Sequence, residues 1–278
     1  MLKKLLLLTI WFLVLFQLQD VIYAKEENSD DFSLGHDIEL LPWTEADKIV
    51  PRYSKFTILD IESKKIFHVQ RRAGSQHADV QPLTPEDTKI LKEIYHGKWS
   101  WKRRAIIVLA NDQWIAASMH GMPHGAGALN NNFPGHFCVH FLGSTTHKSD
   151  KMDISHMLMV YKAAGALPDY LDHLDAKEVV VSFVAGIKEQ DTFILKQMAT
   201  EKLEWKKELA SLENIRLMDL KEITSYDAGT IKEYSVEWQI YLENRKPFKE
   251  TKKIMLIRNS ELEPWKVVVY PNYLNKSK

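Results

Sequence analysis

One cysteine stands among histidines in this chain, and that combination carries most of its chemical potential. Cys138 is the single cysteine in 278 residues. Nine of the eleven histidines fall between His68 and His156: His68, His77, His96, His120, His124, His136, His140, His147 and His156. A thiolate is a nucleophile and a soft metal ligand, and imidazole is both the natural general base and the commonest metal ligand. Gly135-His136-Phe137-Cys138-Val139-His140-Phe141 alternates polar with apolar residues. On a strand, residues two apart share a face, so His136, Cys138 and His140 would line one side and Phe137, Val139 and Phe141 would enter the core. An imidazole beside a thiol lowers its effective pKa and supplies the proton relay that acyl transfer needs. Gly143-Ser144-Thr145-Thr146-His147 adds hydroxyl and backbone donors able to orient the base or hold an oxyanion, Ser144 first among them.

The same residues also suit zinc. His120 with His124 and His136 with His140 have the i, i+4 spacing of some helical zinc sites, and His77-Ala78-Asp79 adds a further ligand pair. A Cys/His site with an open fourth position is chemically sound. Pro123 and the surrounding glycines oppose a helix at the first pair, however, and the second pair looks extended. Metal-free thiol chemistry is therefore the leading expectation, with zinc on His77, Asp79, His120, His124, His136 and His140 as the alternative.

These residues need elements to position them. Phe56–Ile61 and Ile66–Val69, joined by a polar turn, predict a hairpin, as do Arg104–Leu109 and Gln113–Ser118 across Asn111-Asp112. Thr84-Pro85-Glu86-Asp87 predicts a capped helix start. The Gly/Asn/Pro-rich stretch from Gly121 to Gly135 predicts a loop, His136 to Leu142 a strand, and Ile154 to Ala164 a helix. Beyond about residue 175 the pattern changes. Glu178 to Leu203 reads as helical, with a second helix from about Asp191. Tyr234–Leu242, Thr251–Arg258 and Trp265–Tyr270 then read as strands. The fold class is α+β: a β-rich domain over 52–175, then a smaller α+β unit over 176–278 with no cysteine.

Composition narrows the function. With 37 Lys+Arg against 37 Asp+Glu, the formal charge of zero argues against a nucleic-acid partner. Met1-Leu2-Lys3-Lys4, an apolar run from Leu5 to Phe16 and Ala24 describe a secretory signal peptide over 1–24. The run is shorter than the roughly 18 to 20 residues of a spanning helix, so a membrane is involved only if this segment stays uncleaved. Residues 25–51, acidic at first and without period, read as a linker or arm. Outside the cytoplasm cysteines are usually paired or lost, so a solitary Cys138 is either a buried small hydrophobe or a retained reactive thiol. Two other features read as solvated surface: the run Trp99-Ser100-Trp101-Lys102-Arg103-Arg104, and the charged helix face around Lys206.

His120-Gly121, a Gly/Asn-rich loop, and then Gly135-His136-Phe137-Cys138-Val139-His140 resemble the L,D-transpeptidase (YkuD-type) motif, in which His-Gly precedes Ser-His-Gly-Cys-(Val/Ile)-Arg. The resemblance covers about 56–156. It implies Cys138 as acyl-accepting nucleophile, His136 as its base and His120 as an active-site partner. His140, Gly121 and Ser144 would bind substrate or hold the oxyanion. Gly135, Phe137 and His140 stand where the family has Ser, Gly and Arg, and the Arg-to-His change bears on whether transpeptidation survives. The C-terminal unit is similar to nuclear-transport-factor-two-like (cystatin-like) cones. Together these imply a secreted or wall-associated protein without a cofactor, acting on peptidoglycan stem peptides as a transpeptidase or carboxypeptidase. The alternatives are a zinc-dependent peptidase or amidase on the same polymer, and a non-catalytic wall-binding protein.

Overall fold

A computed structural model describes residues 37–146, 151–225, 229–271 and 273–274; the expected signal peptide (1–24), most of the first half of the expected arm, and His147 lie outside them. Ile38–Lys278 forms one compact unit. It is β-rich and α+β, as expected.

Its first half comprises β1 (Ile38–Glu39), α1 (Trp43–Ile49), β2 (Lys55–Asp60), β3 (Ile66–Ala73), β4 (Ala78–Pro82), α2 (Pro85–Ile94), β5 (Arg104–Ala110), β6 (Gln113–Met119) and β7 (Phe137–His140). The predicted hairpins are β2–β3 and β5–β6. Thr84 caps α2 in a reciprocal box with Asp87, as its sequence implies. Strand order is β1-β6-β5-β2-β3-β4-β7, and β7 pairs back onto β6, so six strands run round into a barrel-like ring. One edge of β6 is taken by β5. The other meets β1 at Trp114 and Ile115, and β7 at Ser118 and Met119.

Alternation then sorts the side chains. Ala78 and Val80, Ile115, Ala117 and Met119, and Phe137 and Val139 join Ile58, Phe67 and Val108 in one hydrophobic cluster. Asp79, Ser118, Cys138 and His140 occupy the intervening positions, with Asp79 opposite Cys138 and Ser118 opposite His140. Arg104 clasps the fully buried Asp60 with Nε and Nη2 at 2.6 and 2.7 Å, tying β5 to the end of β2.

The arm expected to reach Pro51 is instead structured from Ile38. Beyond the β1–β6 pairing, α1 buries Trp43 and Ala46, and Trp43 Nε1 donates to Ser75 O at 2.9 Å. A seven-residue helix and a two-residue strand are too short to print a period on a sequence.

The second half comprises α3 (Ile154–Ala163), α4 (Leu167–Asp172), α5 (Ala176–Glu189), α6 (Thr192–Met198), α7 (Trp205–Glu208), β8 (Leu212–Ser225), β9 (Ile231–Leu242), β10 (Phe248–Ile257) and β11 (Lys266–Val267). The strands form an antiparallel sheet in the order β11-β10-β9-β8. Val180, Phe183 and Ile187 of α5 share a hydrophobic cluster with Val236, Trp238, Ile254 and Leu256. Leu158, Met159 and Ala163 of α3 belong to the same cluster, as do Ala105 and Ala116 of the barrel strands. Gln190 ends α5 in a left-handed conformation, and Asp191 caps α6 through the amides of Phe193 and Ile194. Strand β8 carries no clean alternation in the sequence. Its pairing shifts register three times, at Leu212/Asn214, Leu217/Asp219 and Glu222/Thr224, and each bulge flips the inward face.

Candidate functional site

Strands β4, β6 and β7 present the polar face described above, and a loop over 120–136 folds across it. The loop is pinned along its length. Thr88 Oγ1 donates to Asn131 O at 2.7 Å, and Asn131 Nδ2 donates to Pro82 O. Gln81 Nε2 donates to Gly135 O at 2.7 Å, and Gln81 Oε1 accepts from Ala128 N at 2.9 Å. His124 and His136 form an isolated antiparallel bridge, each amide donating to the other's carbonyl at 2.9 Å. Gly125 and Gly135 on either side have φ of +60° and +130°, which favour glycine.

Folding the loop back this way brings His124 to the sulfur. Its Nε2 lies 3.4 Å from Cys138 Sγ, while the thiol donates to Asp79 Oδ1 at 3.7 Å. His136, expected as the base, precedes β7 rather than lying in it. Its Nε2 is 3.7 Å from Asp79 Oδ1 and its Nδ1 donates to Ala126 O at 3.1 Å. His124 Nδ1 donates to Met122 O at 3.2 Å, and His77 Nδ1 to Thr145 O at 2.8 Å. His77 Nε2 lies 3.2 Å from Asp79 Oδ1.

His140 joins a buried stack, parallel to His77 with ring centres 4.4 Å apart and to His156 with centres 3.8 Å apart. His156 comes from α3 and shares a 2.9 Å hydrogen bond with Ser118 Oγ. His120, 2% exposed, accepts at Nδ1 from Met122 N at 3.3 Å. Above it, half exposed, is Trp101, whose ring centre is 4.7 Å from that of His120 and 5.4 Å from that of His124. The expected donors are engaged with other partners: the Gly121 amide donates to Ser100 O at 2.9 Å, and Ser144 Oγ accepts from Phe141 N at 3.0 Å.

The electrostatics follow from burial. Cys138 is 5% exposed, and burial, then the charge and hydrogen bond of Asp79, push its thiol far above the ordinary range. Burial likewise holds His120 and His156 well below the usual imidazole range; Arg103, then His124 and His140, add to the first, and His140, then Arg103, to the second. Among the described residues, two groups of side chains could hold a metal ion: His77, Cys138 and His140, and His120, His124 and Cys138, each with ligand atoms within 4.8 Å of one another.

Sequence reasoning missed three features. The chain's pattern offers His124 only as a zinc ligand, and gives His156 and Trp101 no place at the site. One signal was present for Asp79: β4 alternates Ala78, Asp79, Val80, Gln81, the pattern of a strand with one chemically active face. No protein-family model matches the chain, and no curated protein matches it.

Proposed function

We propose that this chain is an exported cell-wall protein that transfers acyl groups from peptidoglycan stem peptides through Cys138. In this reading residues 52–175 form an L,D-transpeptidase-like domain and residues 176–278 a cystatin-like cone. The motif resemblance supports the first assignment, and helix α5 packed on a four-stranded antiparallel sheet supports the second. Export rests on the segment 1–24.

The observation that carries the chemistry is the 3.4 Å approach of His124 Nε2 to Cys138 Sγ. With its ring hydrogen on Nδ1 and directed at Met122 O, the neutral imidazole offers its Nε2 lone pair to the thiol. Attack moves the thiol proton to Nε2 as sulfur adds to the amide carbonyl. The C–N bond then breaks, the leaving amine takes that proton, and a thioester remains. An amine or water next displaces the sulfur, which recovers a proton. Because Cys138 rests as a thiol, the base is needed at the moment of attack. Replacing Cys138 by Ala should abolish turnover of a stem tetrapeptide and labelling by an active-ester probe. Turnover that survives in that variant rejects the mechanism.

A second reading, zinc-dependent hydrolysis of the same peptides, is favoured by the two His/Cys groups around the sulfur. Loss of activity on chelation, restored by zinc, would support it; activity indifferent to chelator would reject it.

A further inference from the structure

The run 99–104, whose sequence reads as solvated surface, walls a cleft of about 880 Å³. Tyr95, just past α2, lies on the same side; Glu189 at the end of α5, Gln190 and Leu212 at the start of β8 form the facing side. The volume falls within the about 300–1,000 Å³ of small-molecule sites. Bonds across the cleft hold its walls in place. Lys102 Nζ donates to Gln190 Oε1, Gln190 Nε2 donates to Leu212 O, and Arg103 N donates to Glu189 Oε2 at 2.7 Å. A preformed site loses less entropy on binding than one that must be ordered.

Three buried polar atoms on these walls have no hydrogen-bond partner among the described residues: the Tyr95 hydroxyl, Arg103 Nε and Glu189 Oε1. Tyr95 and Glu189 are 7% and 8% exposed. Arg103 engages Trp101 O through Nη1 at 2.6 Å and Asp153 Oδ2 through Nη2 at 2.7 Å, but not through Nε. Glu189 Oε1 has only the Lys188 ammonium, 3.5 Å away. Burial raises the Tyr95 pKa well above the ordinary phenol value, so its hydroxyl keeps its proton and can donate. The three atoms thus offer a donor, an acceptor and a group that does either. Hydroxyl groups donate and accept, so a polyhydroxylated ligand answers all three.

A charged ligand fits less well. Arg103 is matched by Asp153, Arg104 by Asp60 and Asp191 by Lys162, and Lys102 lies in the field of Glu189. An ionic ligand would have to compete with these pairs, and breaking one leaves a desolvated charge alone. Trp99 adds an aromatic surface: half-buried and edge-on to Phe133, with ring centres 5.3 Å apart, it lines the cleft. Flat apolar rings of this kind stack on the C–H faces of pyranoses.

We propose that this cleft binds a neutral oligosaccharide, with Tyr95, Arg103 and Glu189 bonding its hydroxyls and Trp99 stacking on a sugar ring. The same run carries Trp101 over His120 and His124, so the cleft and the thiol site share one segment. Under the acyl-transfer proposal, the cleft holds the glycan strand whose stem peptide reaches Cys138. That coupling rests on the acyl-transfer proposal; the sugar site stands without it.

The test is calorimetric titration of full-length Cys138→Ala with the tetramer of N-acetylglucosamine. Saturable binding of one tetramer per chain is expected. Tyr95→Phe removes a hydroxyl that bonds nothing in the protein, so the thermal midpoint should hold while affinity falls about threefold or more, the loss of one neutral hydrogen bond. Glu189→Gln and Trp99→Leu should each weaken binding by a similar factor. Absence of saturable binding, or affinity unmoved by Tyr95→Phe or by Glu189→Gln, overturns the site. Displacement of the tetramer by a free stem tetrapeptide assigns the cleft to peptide and overturns the sugar assignment. Acylation at Cys138 in an unmodified chain that binds no tetramer overturns the sugar site alone. Tetramer binding by a chain that never acylates leaves the sugar site standing and rejects the acyl-transfer proposal alone.

Discussion

Cys138 Sγ and His124 Nε2 lie 3.4 Å apart although 14 residues separate them, whereas His136, two residues from the cysteine, faces Asp79. If His124 is the base, His124→Ala should slow acylation of the metal-free chain by about 10²- to 10⁴-fold, the usual range for a general base. His136→Ala should slow it less than about tenfold. Mass spectrometry of active-ester adducts over time measures both, and the reverse ranking would restore His136 as the base.

Asp79 bears on the thiol as well. After burial, its charge and hydrogen bond are the largest causes of the raised Cys138 pKa. Asp79→Asn keeps the shape and removes the charge, so the thiolate fraction at a given pH should rise. Iodoacetamide alkylation of metal-free Asp79→Asn should run up to about tenfold faster, about one pKa unit, with its pH profile displaced to lower pH. A slower rate or an unmoved profile would show that the carboxylate does not hold the thiol neutral.

Arg103 and Asp153 connect the segment carrying Trp101 to helix α3, which carries His156. Nη2 lies 2.7 Å from Oδ2, and Asp153 caps α3 through the His156 amide at 3.2 Å. Burial pushes Asp153 up, but the charges of Arg103 and Lys188 and the bonds from His156 and Arg103 hold it below the ordinary carboxylate value. A carboxylate lowered in the folded state stabilises the fold above its unfolded pKa, and the benefit fades as pH falls through the folded value. Arg103→Met should therefore cost about 1–3 kcal/mol near neutral pH and progressively less below about pH 4. Urea denaturation across pH 3–7 checks this; a difference that grows toward acid contradicts the assigned pairing.

Two glycines separate backbone clash from side-chain clash in the loop. A Cβ on Gly135, at φ +130°, would lie 2.5 Å from the His124 carbonyl oxygen; one on Gly125, at φ +60°, would meet the His136 ring carbon at 2.3 Å. A ring can turn and a bridged carbonyl cannot. Gly135→Ala should cost about 2–4 kcal/mol and depress acylation by disturbing His124, while Gly125→Ala should cost about 1 kcal/mol. Thermal unfolding paired with acylation rates tests the contrast, and equal costs would argue against the His124–His136 bridge.

Local sequence marks most of the elements and the chemical inventory. Turn residues marked both barrel hairpins, Thr84 and Asp87 marked the start of α2, and alternation divided β7 into Phe137 and Val139 on the hydrophobic-cluster face, Cys138 and His140 on the opposite, polar face. It could not mark α1, whose seven residues are shorter than two turns, or the bulged strand β8. Above all it could not choose the partner of Cys138. Sequence neighbours share a face by strand periodicity, and that favoured His136. Three dimensions decided otherwise: the loop over 120–136, pinned by Gln81, Asn131 and the His124–His136 bridge, returns His124 to the sulfur. The barrel register sets Asp79 opposite Cys138. Residue types fix what chemistry is available, but partners distant along the chain meet only where loop closure and strand register bring them, and neither is a local property.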